Sequence, residues 1–255
     1  MARKGTGRSQ ALPPPLPPET RTVGQVVAET VNLYRRRFWP SLALGLGPAA
    51  AAVGLTVIDG WWALAFVLTA AALLMTASYL GAVVIATGRR ADRRSLLVGA
   101  AVAYVVFVPA PFLYSLFILP AVAWLALFGL AVPAALIERT GFRASLRRGY
   151  QLGRADYVHA AGSLATLVIV AFLTATVLFF LLRGASQVER SAAAFLSLLV
   201  ISPILFLGAA QLYFDQVARD PTRRSDADLH HADEPDRPGR ADVEGEPRPA
   251  ARGQS

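Results

Sequence analysis

The sequence predicts an all-α fold: a polytopic helical membrane bundle of about six transmembrane helices with two cytoplasmic amphipathic surface helices. Three observations predict it. Long stretches carry no charge, turn residues divide them into membrane-length pieces, and arginines gather on one side of the divisions. The chain has 255 residues, 55% of them hydrophobic and only 16% charged. From Phe38 to Thr87 the sole acid or base is Asp59, and from Leu96 to Ile137 there is none. From Val158 to Leu182 there is only His159, and from Ser191 to Phe214 there is none. About 18 or more apolar residues in a row read as a membrane span, and soluble cores are not built from such runs.

Residues 1–21 contain ALPPPLPPE. Repeated proline forbids helix and favours an extended, disordered linker over a PxxP ligand. Thr22-Val23-Gly24-Gln25 has the spacing of a capping box. Val23, Val26, Val27, Thr30, Val31, Tyr34 and Phe38 then recur at helical spacing, an amphipathic helix of about four turns. Its expected end is Trp39-Pro40, where proline cannot continue one helix but can start the next.

The run from Phe38 to Thr87 would be about 75 Å long as a helix, against a hydrocarbon core of about 30 Å. It must fold back, and Asp59-Gly60 beside Trp61 and Trp62 is the expected hairpin. The run from Leu96 to Ile137, about 63 Å as a helix, must also be two spans, turning near Pro109-Ala110-Pro111 or as late as Tyr114-Ser115. Two further spans follow, so a membrane domain over 22–218 holds spans at about 40–58, 61–87, 95–113, 116–137, 158–182 and 191–214. Within them Pro109, Pro111, Pro120, Pro133 and Pro203 are expected to kink helices, and Ala77 and Gly81 to pack closely. Residues 219–255 are mixed-charge with few large apolar side chains, and are expected to be disordered.

Arg35, Arg36, Arg37, then Arg89, Arg90, Arg93, Arg94, then Arg139, Arg143, Arg147, Arg148, Arg154, then Arg219, Arg223, Arg224 all fall on the side of the two termini. The opposite connections hold Asp59, Arg183, Glu189 and Arg190. The positive-inside rule therefore expects both termini in the cytoplasm. Residues 1–218 carry 18 bases against 8 acids, and that excess marks anionic lipid head groups as partners. Spread over every connection, the arginines do not form the single basic domain that nucleic-acid binding needs.

The second half partly repeats the first. Leu33-Tyr34-Arg35-Arg36-Arg37-Phe38 aligns with Leu152-Gly153-Arg154-Ala155-Asp156-Tyr157, and Leu80-Gly81-Ala82 with Leu207-Gly208-Ala209. Phe142, Leu146, Tyr150 and Gly153 mark the softer face of the second amphipathic helix. Two units of surface helix and paired spans suggest a parallel repeat.

TVGQVVAETVNLYRRRFWPSL, AVPAALIERTGFRASLRRGYQLGRADY and QLYFDQVARD together resemble the membrane domain associated with some bacterial glycerophosphoryl diester phosphodiesterases, which also occurs as a stand-alone protein. The resemblance covers about residues 20 to 220. The matching positions are Gly24, Tyr34, Arg35, Phe38, Trp39, Pro133, Glu138, Arg139, Leu146, Arg147, Tyr213, Phe214 and Asp215. The chain departs from the pattern at Asp156-Tyr157-Val158, where the family more often has an arginine or polar residue before Phe-Trp. The resemblance implies the membrane domain, not the phosphodiesterase. That chemistry needs a separate barrel of about 250 residues, and 40 residues follow Asp215.

No catalytic residue, cofactor site or metal site is expected. There is no cysteine, and the three histidines are one at a span edge and the His230-His231 pair in the tail. No acid–base constellation lies at membrane depth, where coupled transport or intramembrane catalysis would need one. Head-group or interface contacts are expected from Arg35, Arg36, Arg37, Trp39, Arg147 and Arg148. Structural roles are expected for Glu138 and Arg139, which end span four, and for Tyr213 and Asp215, which close span six. The expected function is a non-catalytic scaffold or accessory protein bound to lipids, to a membrane protein partner or to a second copy of itself. The alternative is a lipid-handling or small-molecule transporter without ion coupling.

Overall fold

The computed structural model describes residues 22–88, 91–181, 183–184 and 186–219. The readings for the proline-rich segment, for the tail beyond Arg219 and for Arg89, Arg90, Arg223, Arg224, His230 and His231 lie outside the described residues.

The described chain is helical: α1 (Val23–Arg36), α2 (Phe38–Leu44), α3 (Leu46–Val57), α4 (Trp61–Phe66), α5 (Ala72–Thr87), α6 (Arg93–Phe107), α7 (Ala110–Leu116), α8 (Ile118–Phe128), α9 (Ala131–Ile137), α10 (Phe142–Ala155), α11 (Tyr157–Leu181) and α12 (Gln187–Arg219). A π-helical turn, Val67–Ala71, joins α4 to α5. Six stretches are long and apolar enough to cross a membrane: Phe38–Val57, Trp61–Thr87, Arg93–Leu116, Ile118–Ile137, Tyr157–Thr174 and Val188–Arg219. The protein is thus a helical bundle of the integral-membrane class. Consecutive spans pack as neighbours, and α12 closes the ring on α2 and α3 while also lying along α5.

Prolines set the segment starts. Pro40, Pro48, Pro111, Pro120 and Pro133 each sit within the first three positions of α2, α3, α7, α8 and α9, where a missing N–H costs nothing. The chain must break just upstream, since the ring clashes with the carbonyl four residues back. The first break is therefore at Arg37 (φ −124°, ψ 48°), not at Trp39-Pro40, with Pro40 inside the first turn of α2. Pro109 only bends span three; the reversal into span four comes at Phe117, whose extended backbone joins α7 to α8. Asp59-Gly60 is the first hairpin as expected, with Gly60 at φ 63°.

In a membrane interior, carbonyls released by these breaks need other donors. Three aromatic side chains serve. Tyr79 donates to Gly129 (3.0 Å), the carbonyl that Pro133 releases in span four. The Trp124 indole donates to Val106 at the end of α6 (2.9 Å). Tyr104 donates to Leu68 in the π turn (2.6 Å). Tyr79 also stands in an aromatic cluster with Phe107 and Phe206. The core around it includes Leu44, Val83, Val102, Val106, Ala131, Val132, Leu207 and Ala210.

The repeat holds in local geometry. Asp156 breaks α10 from α11 at φ −139°, ψ 66°, close to the values at the aligned Arg37. Gly81 faces the side chain of Leu44 in span one, and Gly208 that of Leu167 in span five, so each second span receives a leucine from its own partner. Ala77, by contrast, is exposed. The repeat does not extend to how the amphipathic helices dock. α1 packs on α12 and α11, burying Val26, Thr30 and Tyr34. α10 packs mainly on α9 and α8.

The buried face of α10 matches the expected one only at Gly153 and half-buried Leu146. Ser145, Gly149, Leu152 and Gly153 are buried, whereas Phe142 and Tyr150 are exposed. Small residues four apart let backbones meet. A Cβ on Gly149 would lie 2.4 Å from the Ala131 nitrogen, and one on Gly153 2.6 Å from the Ala126 oxygen. Close backbone approach, more than side-chain hydrophobicity, selects that face.

Candidate functional site: a polar clamp and an arginine surface

The residues at the arginine-rich end divide into an inward-turned group and an exposed group. The inward group forms where α9, α10, α11 and α12 meet. Glu138 follows the last residue of α9, and its Oε1 accepts from the Tyr213 hydroxyl (2.8 Å) and from Arg148 Nε (3.1 Å). One carboxylate oxygen thus ties α9 to both α10 and α12. Tyr213 is 2% exposed and the Glu138 and Arg148 side chains about a quarter exposed. Hydrogen bonds to a charged group under such cover contribute about 1.5–3 kcal/mol each.

A second set lies beside it. Asp215, fully buried, has Oδ2 at 2.8 Å from His159 Nε2 and accepts from Arg219 Nε at 3.1 Å. Arg219 reaches on to Asp156 (3.3 Å), and Asp156 caps the start of α11 by accepting from the His159 N–H (3.3 Å). Asp156 therefore has a local role: a short carboxylate suits an N-cap, and its bond from Arg219 ties α11 to α12. Glu138 and Arg139, adjacent in sequence, part company. Arg139 takes a left-handed conformation (φ 54°) just past α9 and turns toward Asp92 at 3.9 Å. The Asp92 carboxyl is held below its ordinary range, chiefly by the Ser95 hydroxyl (2.5 Å) and least by the Arg139 charge.

Of the expected contact residues, Arg148 belongs to the inward group. Arg35, Arg36, Arg37 and Arg147 are exposed, and Trp39 is 76% exposed. Arg143 and Arg154 are exposed with them. Arg147, Tyr150 and Arg154 flank a shallow cleft of about 560 Å³ on the outer face of α10, with Tyr150 stacked on Phe128. Spacing alone brought Arg147 and Arg154 together, since residues seven apart share a helix face. His159, read as an interfacial residue, is the half of the clamp that pattern reading missed.

Among the described residues no cluster of three or more His, Asp or Glu could hold a metal ion. Compared with protein-family models, curated proteins and solved structures, the chain matches none.

Proposed function

We propose that this integral membrane protein is a scaffold or accessory protein without chemistry of its own. Its arginine-rich end faces the cytoplasm and engages anionic lipid head groups or the acidic surface of a partner protein. One observation carries the reading: the exposed charges at that end are nearly all positive. Glu138 and Asp215 are turned inward with Arg148 and Arg219 as ties between helices, while Arg35, Arg36, Arg37, Arg143, Arg147 and Arg154 remain exposed, with Asp92 as an exposed acid among them. An end built this way presents its positive excess to the surroundings. The likeness to the membrane domain of phosphodiesterase-associated proteins adds support, since that domain also occurs by itself. The cytoplasmic orientation rests on the positive-inside rule.

The reading is tested by purifying the full chain in mild detergent and identifying what accompanies it by mass spectrometry. Anionic lipid or a defined protein is expected at near-stoichiometric amount, released by high salt and by the double change Arg147→Gln, Arg154→Gln. Recovery of neither, or retention that ignores salt and both arginines, refutes it. Orientation is tested separately with single cysteines, since the chain has none. An impermeant thiol reagent added to intact cells should label Asp59→Cys and Gly184→Cys; labelling of Ala144→Cys instead would reverse the topology.

A further inference from the structure

At the end of the bundle opposite the arginine cluster, α11 and α12 line a groove of about 670 Å³, with Tyr114 of α7 at its edge. Val168, Ala171 and Phe172 form one wall, and Ala194, Leu198 and Ile201 the other. Of the four hydroxyls that line it, Tyr114 stands at the edge and the other three already donate to the carbonyl four residues back on their own helix: Thr176 to Phe172 (2.8 Å), Ser197 to Ala193 (2.7 Å) and Ser202 to Leu198. The body of the groove therefore offers no hydroxyl proton to a polar ligand. Its one formal charge is Arg190, at the end nearest the start of α12.

The geometry points to a phospholipid site, with one acyl chain in the groove and the phosphate at Arg190. Three properties select that occupant. The lining is apolar along its length and cationic at one end, which matches an amphiphile with an anionic head. From Ala193 to Leu205 the groove runs about 18 Å along α12, close to the half-thickness of about 15 Å that one leaflet's chains fill. Both walls belong to helices long and apolar enough to span the membrane, which sets the groove at the depth of lipid chains. This goes beyond the proposed function: it concerns the opposite end of the bundle and does not depend on the exposed arginines.

The test uses the full chain in lipid nanodiscs doped with a phosphatidylglycerol carrying a photoreactive group in one acyl chain, or with a diacylglycerol carrying the same chain. Labelled peptides are then mapped by mass spectrometry. The phospholipid probe should label 168–176 and 193–205 well above the equally lipid-exposed surfaces at Leu73 and Val105. Arg190→Gln should lower that labelling to the level of the diacylglycerol. Ala194→Trp, at an exposed position, should fill the groove and abolish labelling with both probes; Ala171→Phe does the same from the other wall if the first variant folds poorly. Labelling no stronger than at Leu73 and Val105 would mean annular contact only and overturn the site. Indifference to both filling variants would overturn it equally, and indifference to Arg190→Gln would overturn the head-group assignment.

Discussion

Gly45 joins α2 to α3 in an ordinary right-handed helical conformation, φ −73° and ψ −17°. On backbone preference alone, Gly45→Ala should stabilise the helix by about 0.5–1 kcal/mol. The packing says the reverse. A methyl group at that position would lie 2.0 Å from the Leu199 carbonyl oxygen and 2.7 Å from the Leu199 carbonyl carbon and Cα. All three are backbone atoms, so no rotamer change relieves the overlap. A close carbon–oxygen contact is about 3.3–3.6 Å, so span one and α12 would have to move apart by more than an ångström. Pro203 lies four residues beyond Leu199, so this carbonyl has no helical N–H donor and projects toward the glycine. Overpacking of this kind costs about 1–3 kcal/mol, which outweighs the helix gain. The net expectation is a loss of about 1–2 kcal/mol. Gly162, in the middle of α11, is the control, because a Cβ there would meet nothing within 4 Å. Gly162→Ala should stabilise by about 0.5–1 kcal/mol. Both changes can be measured by reversible unfolding in mixed detergent micelles, titrating the denaturing detergent and following tryptophan fluorescence and circular dichroism. Gly45→Ala at or above parental stability, with Gly162→Ala gaining as expected, would refute the close crossing of span one and α12.

Three further outcomes follow from the same structure. Tyr79→Phe leaves the Gly129 carbonyl with only the long 3.4 Å bond from the Val132 N–H and should cost about 1 kcal/mol; an unchanged unfolding midpoint would mean the tyrosine bond contributes nothing. Glu138→Ala should cost more than Tyr213→Phe, because it releases both Tyr213 and Arg148, and the double variant should lose less than the sum of the two; strict additivity would dissolve the clamp. Burial raises the Tyr34 phenol above its ordinary value, so its neutral form is favoured in the fold. Its contribution is full below the ordinary value of about 10 and is lost as pH climbs through the raised one. Alkaline titration followed by tyrosinate absorbance should therefore show a late phenol phase that accompanies loosening of α1, and that phase should vanish in Tyr34→Phe.

How much was legible in the sequence depended on how local each determinant is. Membrane-length helices, the Asp59-Gly60 hairpin and the capping glutamine, whose Oε1 accepts from the Thr22 N–H at 2.8 Å, are properties of short stretches and could be read directly. The aligned breaks at Arg37 and Asp156 were foreshadowed by the echo of LYRRRF in LGRADY. Proline positions marked where helices start, but the reading put the first break at Trp39-Pro40 where it lies at Arg37, and the second reversal near Pro109-Ala110-Pro111 or Tyr114-Ser115 where it lies at Phe117. The buried face of α10 was misjudged because hydrophobic periodicity ranks Phe142 and Tyr150 above Ser145 and Gly149. In a membrane bundle the lipid solvates apolar side chains as well as a neighbouring helix does, so the packed face goes to whichever residues let backbones touch.

The sequence by itself determined the class of protein, the number of spans and the sign of each end, because a charge-free run of membrane length has one stable environment and arginine bias needs no partner to be counted. Only the tertiary structure decided which acid meets which base. Glu138 stands beside Arg139 in the chain yet binds Arg148 and Tyr213, and Asp215 draws His159 from a different helix. Those pairings arise from helices brought together by glycine contacts and by carbonyls that prolines release, and that proximity exists only once the bundle has closed.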